Sequence, residues 1–373
     1  MSDTIDKTVD RVPGGRIVAC SEEGFAPAEN LLSTRSPEFR FGVFIPGKGQ
    51  EFDSWETRRH NPSPPGPPDW VILELGTPGA ITTVDIDTHW HDGNHAERGA
   101  LYALQGTPGE APSREDPRWV ELLAPTPLDG HAHNVFRVLR RTPTSSFTHV
   151  MLENHPDGGI ARLRCYAERA PRETDPGDAN ARRVRHEAPI PRGGDTPHHA
   201  PSAEDIAARW RSTEAHSQVD LACEAMGGRV VATSNNRYGH SQQLIAEASP
   251  TSMGDGWETS RSRGEGHLDY VVVALGRAGT IERVEVDFTY FVLNNPVALR
   301  ILGAHAEEGG EPPADAEWRE LVPRTPVKAL AGSVLRVEGP QLAAAGVLTH
   351  VRLETFPDGG ANRLRVLGRA RQP

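Results

Sequence analysis

The sequence predicts an all-β protein: two tandem antiparallel jelly-roll-like β-sandwich domains related by internal duplication. Three observations lead there. Unusual peptides return later in the chain in unchanged order, which is the signature of a repeated fold unit. The repeated pieces are short, rich in Val, Ile, Leu and aromatics, and punctuated by Gly and Pro, as strands are. Recurrent crossover helices, which a parallel sheet requires, are missing from the pattern. The 373 residues suit two domains, each able to bury its own core. The expected division is a first repeat over residues 1–170, a linker with a short helix over 171–215, and a second repeat over 216–373.

The repeated elements follow in order. Gly14-Gly15-Arg16-Ile17-Val18-Ala19 is matched by Gly227-Gly228-Arg229-Val230-Val231-Ala232, and Trp55-Glu56-Thr57 by Trp257-Glu258-Thr259. The apolar run from Asp69 to Gly76 answers to the run from Asp269 to Gly276, with Trp70 and Tyr270 expected in the cores. Val84 and Ile86 alternate with Asp85 and Asp87, a period of two that puts one face in a core and the other toward water or a cleft. Thr148-His149-Val150 and Pro156-Asp157-Gly158-Gly159 return as Thr349-His350-Val351 and Pro357-Asp358-Gly359-Gly360. Pro-Asp-Gly-Gly is turn chemistry: proline fixes φ, aspartate accepts from nearby amides, and glycine tolerates positive φ. Residues 171–202 read as an extended linker, followed by a helix over 203–210 capped by Ser202. The proline-rich residues 61–68 read as a stiff loop.

Composition narrows the function. Forty Lys and Arg against 51 Asp and Glu leave a net charge of -11, which disfavours a nucleic-acid partner. No run approaches the roughly 20 apolar residues of a membrane span, and the N-terminal residues lack an export pattern, so a soluble cytoplasmic protein is expected. Cys20, Cys165 and Cys223 have no partner at metal-ligand spacing and read as buried thiols.

Candidate chemistry concentrates in Asp87-Thr88-His89-Trp90-His91. On a continued strand, Asp87, His89 and His91 would share a face, placing two imidazoles and a carboxylate together for proton transfer or a divalent metal. The second copy has Thr289 and Phe291 at these positions, so the first repeat carries the fuller reactive set. His149 and Glu153, with His350 and Glu354, are further candidates, although four strand residues separate the side chains by roughly 13 Å. Glu56 adds a carboxylate beside Trp55. The early loops differ: Glu22 and Glu23 supply acids in the first, whereas Asn235, Asn236, Arg237 and His240 in the second suit a carboxylate or ureido ligand.

Phe25-Ala26-Pro27-Ala28-Glu29-Asn30-Leu31-Leu32, Trp55-Glu56-Thr57-Arg58-Arg59, Val84-Asp85-Ile86-Asp87-Thr88, Gly93-Asn94 and the two Thr-His-Val to Pro-Asp-Gly-Gly blocks together resemble allantoicases. The likeness spans roughly residues 10–170 and 217–370. It implies hydrolysis of allantoate to ureidoglycolate and urea, a homo-oligomer, and neither a nucleic-acid nor a membrane partner. On that footing the expected catalytic groups are Glu23, Glu56, His89 and His149, with Arg59, Asn94, Asn236 and His240 binding substrate. Any divalent metal would fall to Asp87, His89 and His91. His91, His95 and Thr289 depart from the family's usual pattern. The competing readings are a tandem β-sandwich module that binds a small polar ligand, and an allantoicase-like assembly subunit with impaired catalysis.

Overall fold

The computed structural model describes residues 9–60, 66–138, 146–167, 181–214, 216–262, 264–307, 310–328 and 333–371. Most of the proline-rich 61–68 loop and the first part of the expected linker lie outside these residues. The chain forms two compact units, one comprising Met1–Val43 and Glu51–Ile190, the other Phe44–Gln50 and Pro191–Pro373. No helix among the described residues is long and apolar enough to cross a membrane.

In the first unit a five-stranded antiparallel sheet runs in the order Arg16–Cys20, Asp69–Gly79, Phe147–His155, Arg98–Leu104 and Val120–Pro127. A four-stranded sheet has the order Arg162–Tyr166, Thr83–Asp87, Ala132–Arg137 and Ala181–Arg185. Alternation decides what lies between them: Val71, Leu73 and Leu75 from one sheet and Val84 and Ile86 from the other belong to one apolar core, joined by Leu101, Val150, Leu152 and Leu163.

The second unit repeats this pairing order. Arg229–Thr233, Asp269–Asp287, Val347–Phe356, Ala298–Ala304 and Trp318–Pro326 take the places of the first sheet. Arg363–Ala370 and Val334–Glu338 flank the far half of Asp269–Asp287 as their counterparts flank Thr83–Asp87. One difference is instructive. The first repeat breaks this stretch into two strands, with Pro78 at the end of the first, whereas Arg277, Ala278 and Gly279 let the second continue through both halves of its eight-stranded sheet. A proline removes a ladder donor and favours a break.

Four expectations need correction. Trp70 and Tyr270 are only half-buried; the core tryptophans are Trp55 and Trp257, whose indole N–H groups donate to Glu22 O at 3.0 Å and Asn235 O at 2.7 Å. Asp85 and Asp87 do not face open water, because His133 and His186 cover them. The segment expected to be an extended linker contributes the strand Ala181–Arg185, paired with Ala132–Arg137, before the helix Ala203–Ser212. Cys165 and Cys223 are buried, whereas Cys20 is partly exposed, and all three are free thiols.

The Pro-Asp-Gly-Gly turns are tied to the Trp-Glu-Thr strands. Thr57 N donates to Gly158 O at 3.2 Å and Gly158 N donates back to Thr57 Oγ1 at 3.0 Å. Thr259 and Gly359 repeat the exchange at 3.1 Å in both directions. Both threonines are fully buried. Thr57→Val keeps the shape and strands the buried Gly158 amide, so it should lower unfolding free energy by about 1–3 kcal/mol. Urea denaturation of the variant against the wild type measures this.

Candidate active site

The tied turn positions the short loop that follows Trp55-Glu56-Thr57. Asp157 Oδ2 accepts from His60 N at 3.1 Å, which fixes the backbone carrying Arg58, Arg59 and His60. From the neighbouring turn, Glu22 accepts from Gly24 N at 2.7 Å through Oε2 and from Arg58 N through Oε1. The Arg58 guanidinium lies 3.8 Å from the same carboxylate. Asp69, buried at the start of its strand, sits 3.0 Å from His60 Nε2 and receives Ser21 Oγ at 2.9 Å. Potential ligand atoms of Glu22, His60 and Asp69 all fall within 4.8 Å of one another. The site therefore gathers two carboxylates, one imidazole and the adjacent Arg58 guanidinium.

The electrostatics suit proton transfer. Asp69 beside the ring raises the His60 pKa, more than offsetting the opposing effect of burial. Burial raises Glu22 above the ordinary carboxylate value, and the nearby Asp69 charge adds to it, against hydrogen bonds from Arg58 and Gly24. Glu22 thus titrates above a free carboxylate and His60 above a free imidazole.

The second repeat keeps the frame and changes the chemistry. Ser234 Oγ donates to Asp269 at 2.7 Å, as Ser21 does to Asp69. Asn235 holds the place of Glu22, accepting from Arg237 N at 2.9 Å and Ser260 N at 3.3 Å. Ser262 replaces His60, and its amide again bonds the turn aspartate, Asp358. An imidazole still reaches the buried aspartate: His267 Nε2 is 3.4 Å from Asp269.

Several expected site residues have other positions. Glu23 is exposed and accepts from Ala28 N at 3.0 Å at the start of a short helical turn; Asn236 does the same for Ser241 N at 3.1 Å. Glu56 and Asn94 are buried together at 3.0 Å, a pair duplicated as Glu258 and Asn294 at 2.6 Å. His149 is fully buried between Thr148 Oγ1 at 2.8 Å and Glu110 O at 3.1 Å, and His350 has the same setting. Glu153 pairs with Arg114 and His155. His240 Nδ1 accepts from Gln242 N and its ring faces His198. Only Arg59 lies on the loop that carries His60.

The shared face expected for Asp87, His89 and His91 does not form. The strand ends at Asp87, and Trp90 adopts φ 68°, so His91 turns into the interior and stacks on Phe52 at 4.7 Å. His89 instead stacks on His186 at 3.6 Å, and Asp87, His89 and His186 form the second group able to hold a metal. Sequence reasoning passed over His60, Asp69 and His186. The first two carried a signal: His60 directly follows the Trp-Glu-Thr-Arg-Arg block, and Asp69 opens a strand whose copy also opens with aspartate.

The allantoicase-repeat family model matches residues 7–170 and again 219–371. The chain belongs to the allantoicase family. A probable allantoicase of Pseudomonas aeruginosa strain LESB58 is 35% identical over 366 residues, covering 96% of this chain and 94% of its own. A probable allantoicase of Schizosaccharomyces pombe is 33% identical over 362 residues, covering 97% and 92% respectively. The crystal structure of Saccharomyces cerevisiae allantoicase aligns over 98% of this chain and 94% of its own at 28% identity, with a TM-score of 0.37.

The raised His60 value has a stability consequence. A group whose folded pKa exceeds its unfolded one contributes stability fully below the unfolded value of 6.5, and loses it as pH rises through the folded value. His60→Asn should therefore destabilise most at pH 5–6 and least in alkaline solution. Urea denaturation of both proteins across that range should show the two curves converging as pH rises.

Proposed function

We propose that this allantoicase-family chain hydrolyses allantoate to ureidoglycolate and urea, and that the Glu22–His60–Asp69 end of the first repeat performs the chemistry. The observation that carries the assignment is the opposition of a carboxylate and a histidine, both with raised pKa, in a chain whose two halves match the allantoicase repeat.

The reaction breaks one bond between the central carbon of allantoate and a ureido nitrogen. That nitrogen must gain a proton to leave as urea, while water delivers hydroxyl to the carbon and gives up its other proton. His60, whose protonated form Asp69 favours, donates to the leaving nitrogen, and Glu22 accepts from water. Elimination to an imine followed by hydration, and direct displacement, both use the same two groups. Arg59 and Arg58 lie on the same loop and supply the cationic partner for the substrate carboxylate. In the second repeat Asn235 cannot act as a base, so we assign turnover to the first repeat.

The finer biology belongs to the same proposal. Three free thiols suit a reducing compartment, in keeping with a cytoplasmic enzyme. Phe41, Val43 and Ile45 lie exposed at alternate positions on one hairpin strand and favour a homo-oligomer.

Glu22→Gln and His60→Asn should each reduce urea release by roughly 10²- to 10⁴-fold with folding intact. Glu23→Gln should remain close to wild type. His60 must be protonated and Glu22 ionised, so kcat/KM should fall above the raised His60 pKa and below the raised Glu22 pKa. Near-native turnover in both Glu22→Gln and His60→Asn would sink the assignment.

A further inference from the structure

The strand Ala181–Arg185, which has no counterpart among the described residues of the second unit, delivers His186 onto the end of Thr83–Asp87. His186 Nε2 lies 2.8 Å from Asp87 Oδ1. The His89 ring stacks on His186 with 3.6 Å between centroids and planes 10° apart. The ligand atoms of Asp87, His89 and His186 lie within 4.8 Å of one another. His89 Nε2 is buried and has no hydrogen-bond partner among the described residues.

A buried imidazole nitrogen without a partner is unfavourable, and two imidazoles with one carboxylate form the donor set of borderline divalent ions. Burial, reinforced by His186, lowers His89 to a pKa of about 4, so its ring is neutral at physiological pH. Asp87 remains ionised: burial opposes its charge, but His186 and His133 hold its pKa below the ordinary value. His133, 2.8 Å from Asp85 and 3.9 Å from Asp87, supports the carboxylates from outside. The second repeat has closed the equivalent position, where Thr289 bonds Asp287 through both its amide and its hydroxyl.

We propose that Asp87, His89 and His186 bind one divalent first-row transition ion per chain, and that this ion staples the strand Ala181–Arg185 to the first sandwich. The ion replaces the His186–Asp87 hydrogen bond: by exchange with solvent the His186 proton moves from Nε2 to Nδ1, which leaves the ring neutral, the two stacked rings splay, and both nitrogens turn their lone pairs on the metal. His131 already anchors the same segment, with Nε2 2.7 Å from Ala188 O and its carbonyl accepting His186 N at 2.9 Å. The inference is independent of the hydrolytic reading, because its test measures binding and not turnover.

Titration of the metal-stripped full chain with Co²⁺, followed by visible absorption, and with Zn²⁺ by calorimetry, should saturate at one ion. His186→Gln and His89→Gln should each weaken binding at least about tenfold. The double variant Glu22→Gln/His60→Asn should bind as wild type. Hydrogen exchange on the wild-type chain should slow at residues 181–188 when Zn²⁺ is added, which keeps the proposal testable if a histidine variant misfolds. No saturable binding, binding that survives loss of both histidines, binding lost only in the Glu22/His60 variant, or exchange unchanged by Zn²⁺ would overturn it.

Discussion

The reciprocal bond between Thr57 and Gly158 is the constraint on which the candidate active site depends. It joins the Pro-Asp-Gly-Gly turn of the first repeat to a strand about a hundred residues earlier, and its second copy joins Thr259 to Gly359. The turn must be glycine. Gly158 has φ 132°, and a Cβ there would lie 2.6 Å from the His95 backbone; at Gly359 the clash would be with Pro296 N at 2.5 Å. Once the turn is seated, Asp157 can reach His60 N, while Glu22 takes the Arg58 amide. A buried arginine secures the next residues. Arg162 is 2% exposed yet bonds Asp53 at 2.6 Å and the carbonyls of Arg35, Asp53 and Ala161. Arg363 repeats this role with the carbonyls of Ala248, Asp255 and Asn362.

Such a frame permits side chains at the sandwich end to change with little structural penalty, because the backbone is held by turn and arginine contacts made elsewhere. Glu56–Asn94 and Glu258–Asn294 are kept in both repeats as polar pairs set into the interior, where losing a hydrogen bond is costly. Glu22 through two oxygens and Asn235 through one, by contrast, receive equivalent backbone amides, and that duty does not require charge. The two residues are interchangeable for folding and quite different for proton transfer. The same holds for His60 and Ser262, whose backbone amides meet the turn aspartate whatever the side chain.

This separation explains which parts of the protein were legible in the sequence. The sheets were, because Val71, Leu73, Val84, Ile86, Val150 and Leu152 follow a period of two that burial enforces. The duplicated pairing order was legible from repeated peptides. The site was legible only in part. Alternation placed Asp87, His89 and His91 together on the assumption that the strand continued, and the positive φ of Trp90 breaks that assumption after two residues. His149 looked chemical because histidine is versatile, but a fully buried ring between a threonine hydroxyl and a backbone carbonyl is a packing device, and its exact duplication in His350 fits that role. His186 could not be placed at all, since its partners are fixed by a strand pairing across a segment whose composition reads as linker.

The buried aspartates decide how much weight the histidine beside them can bear in a mechanism. Asp69 and Asp269 are 4% and 2% exposed, and a carboxylate so enclosed needs a cationic or hydrogen-bonding partner whether or not it takes part in catalysis. The two repeats meet this need from different chain positions, His60 before the proline-rich loop and His267 after the corresponding loop, each close to its aspartate. A histidine–aspartate pair is therefore a requirement of the frame common to both halves, and its presence alone cannot distinguish a working site from a silent one. What distinguishes them is the second carboxylate. Glu22 stands against His60 in the first repeat with its pKa raised by burial, while Asn235 can neither gain nor lose a proton in that place. On the proposed assignment the asymmetry between the halves rests on Glu22 against Asn235, a replacement that keeps the backbone bond and takes away a titratable group.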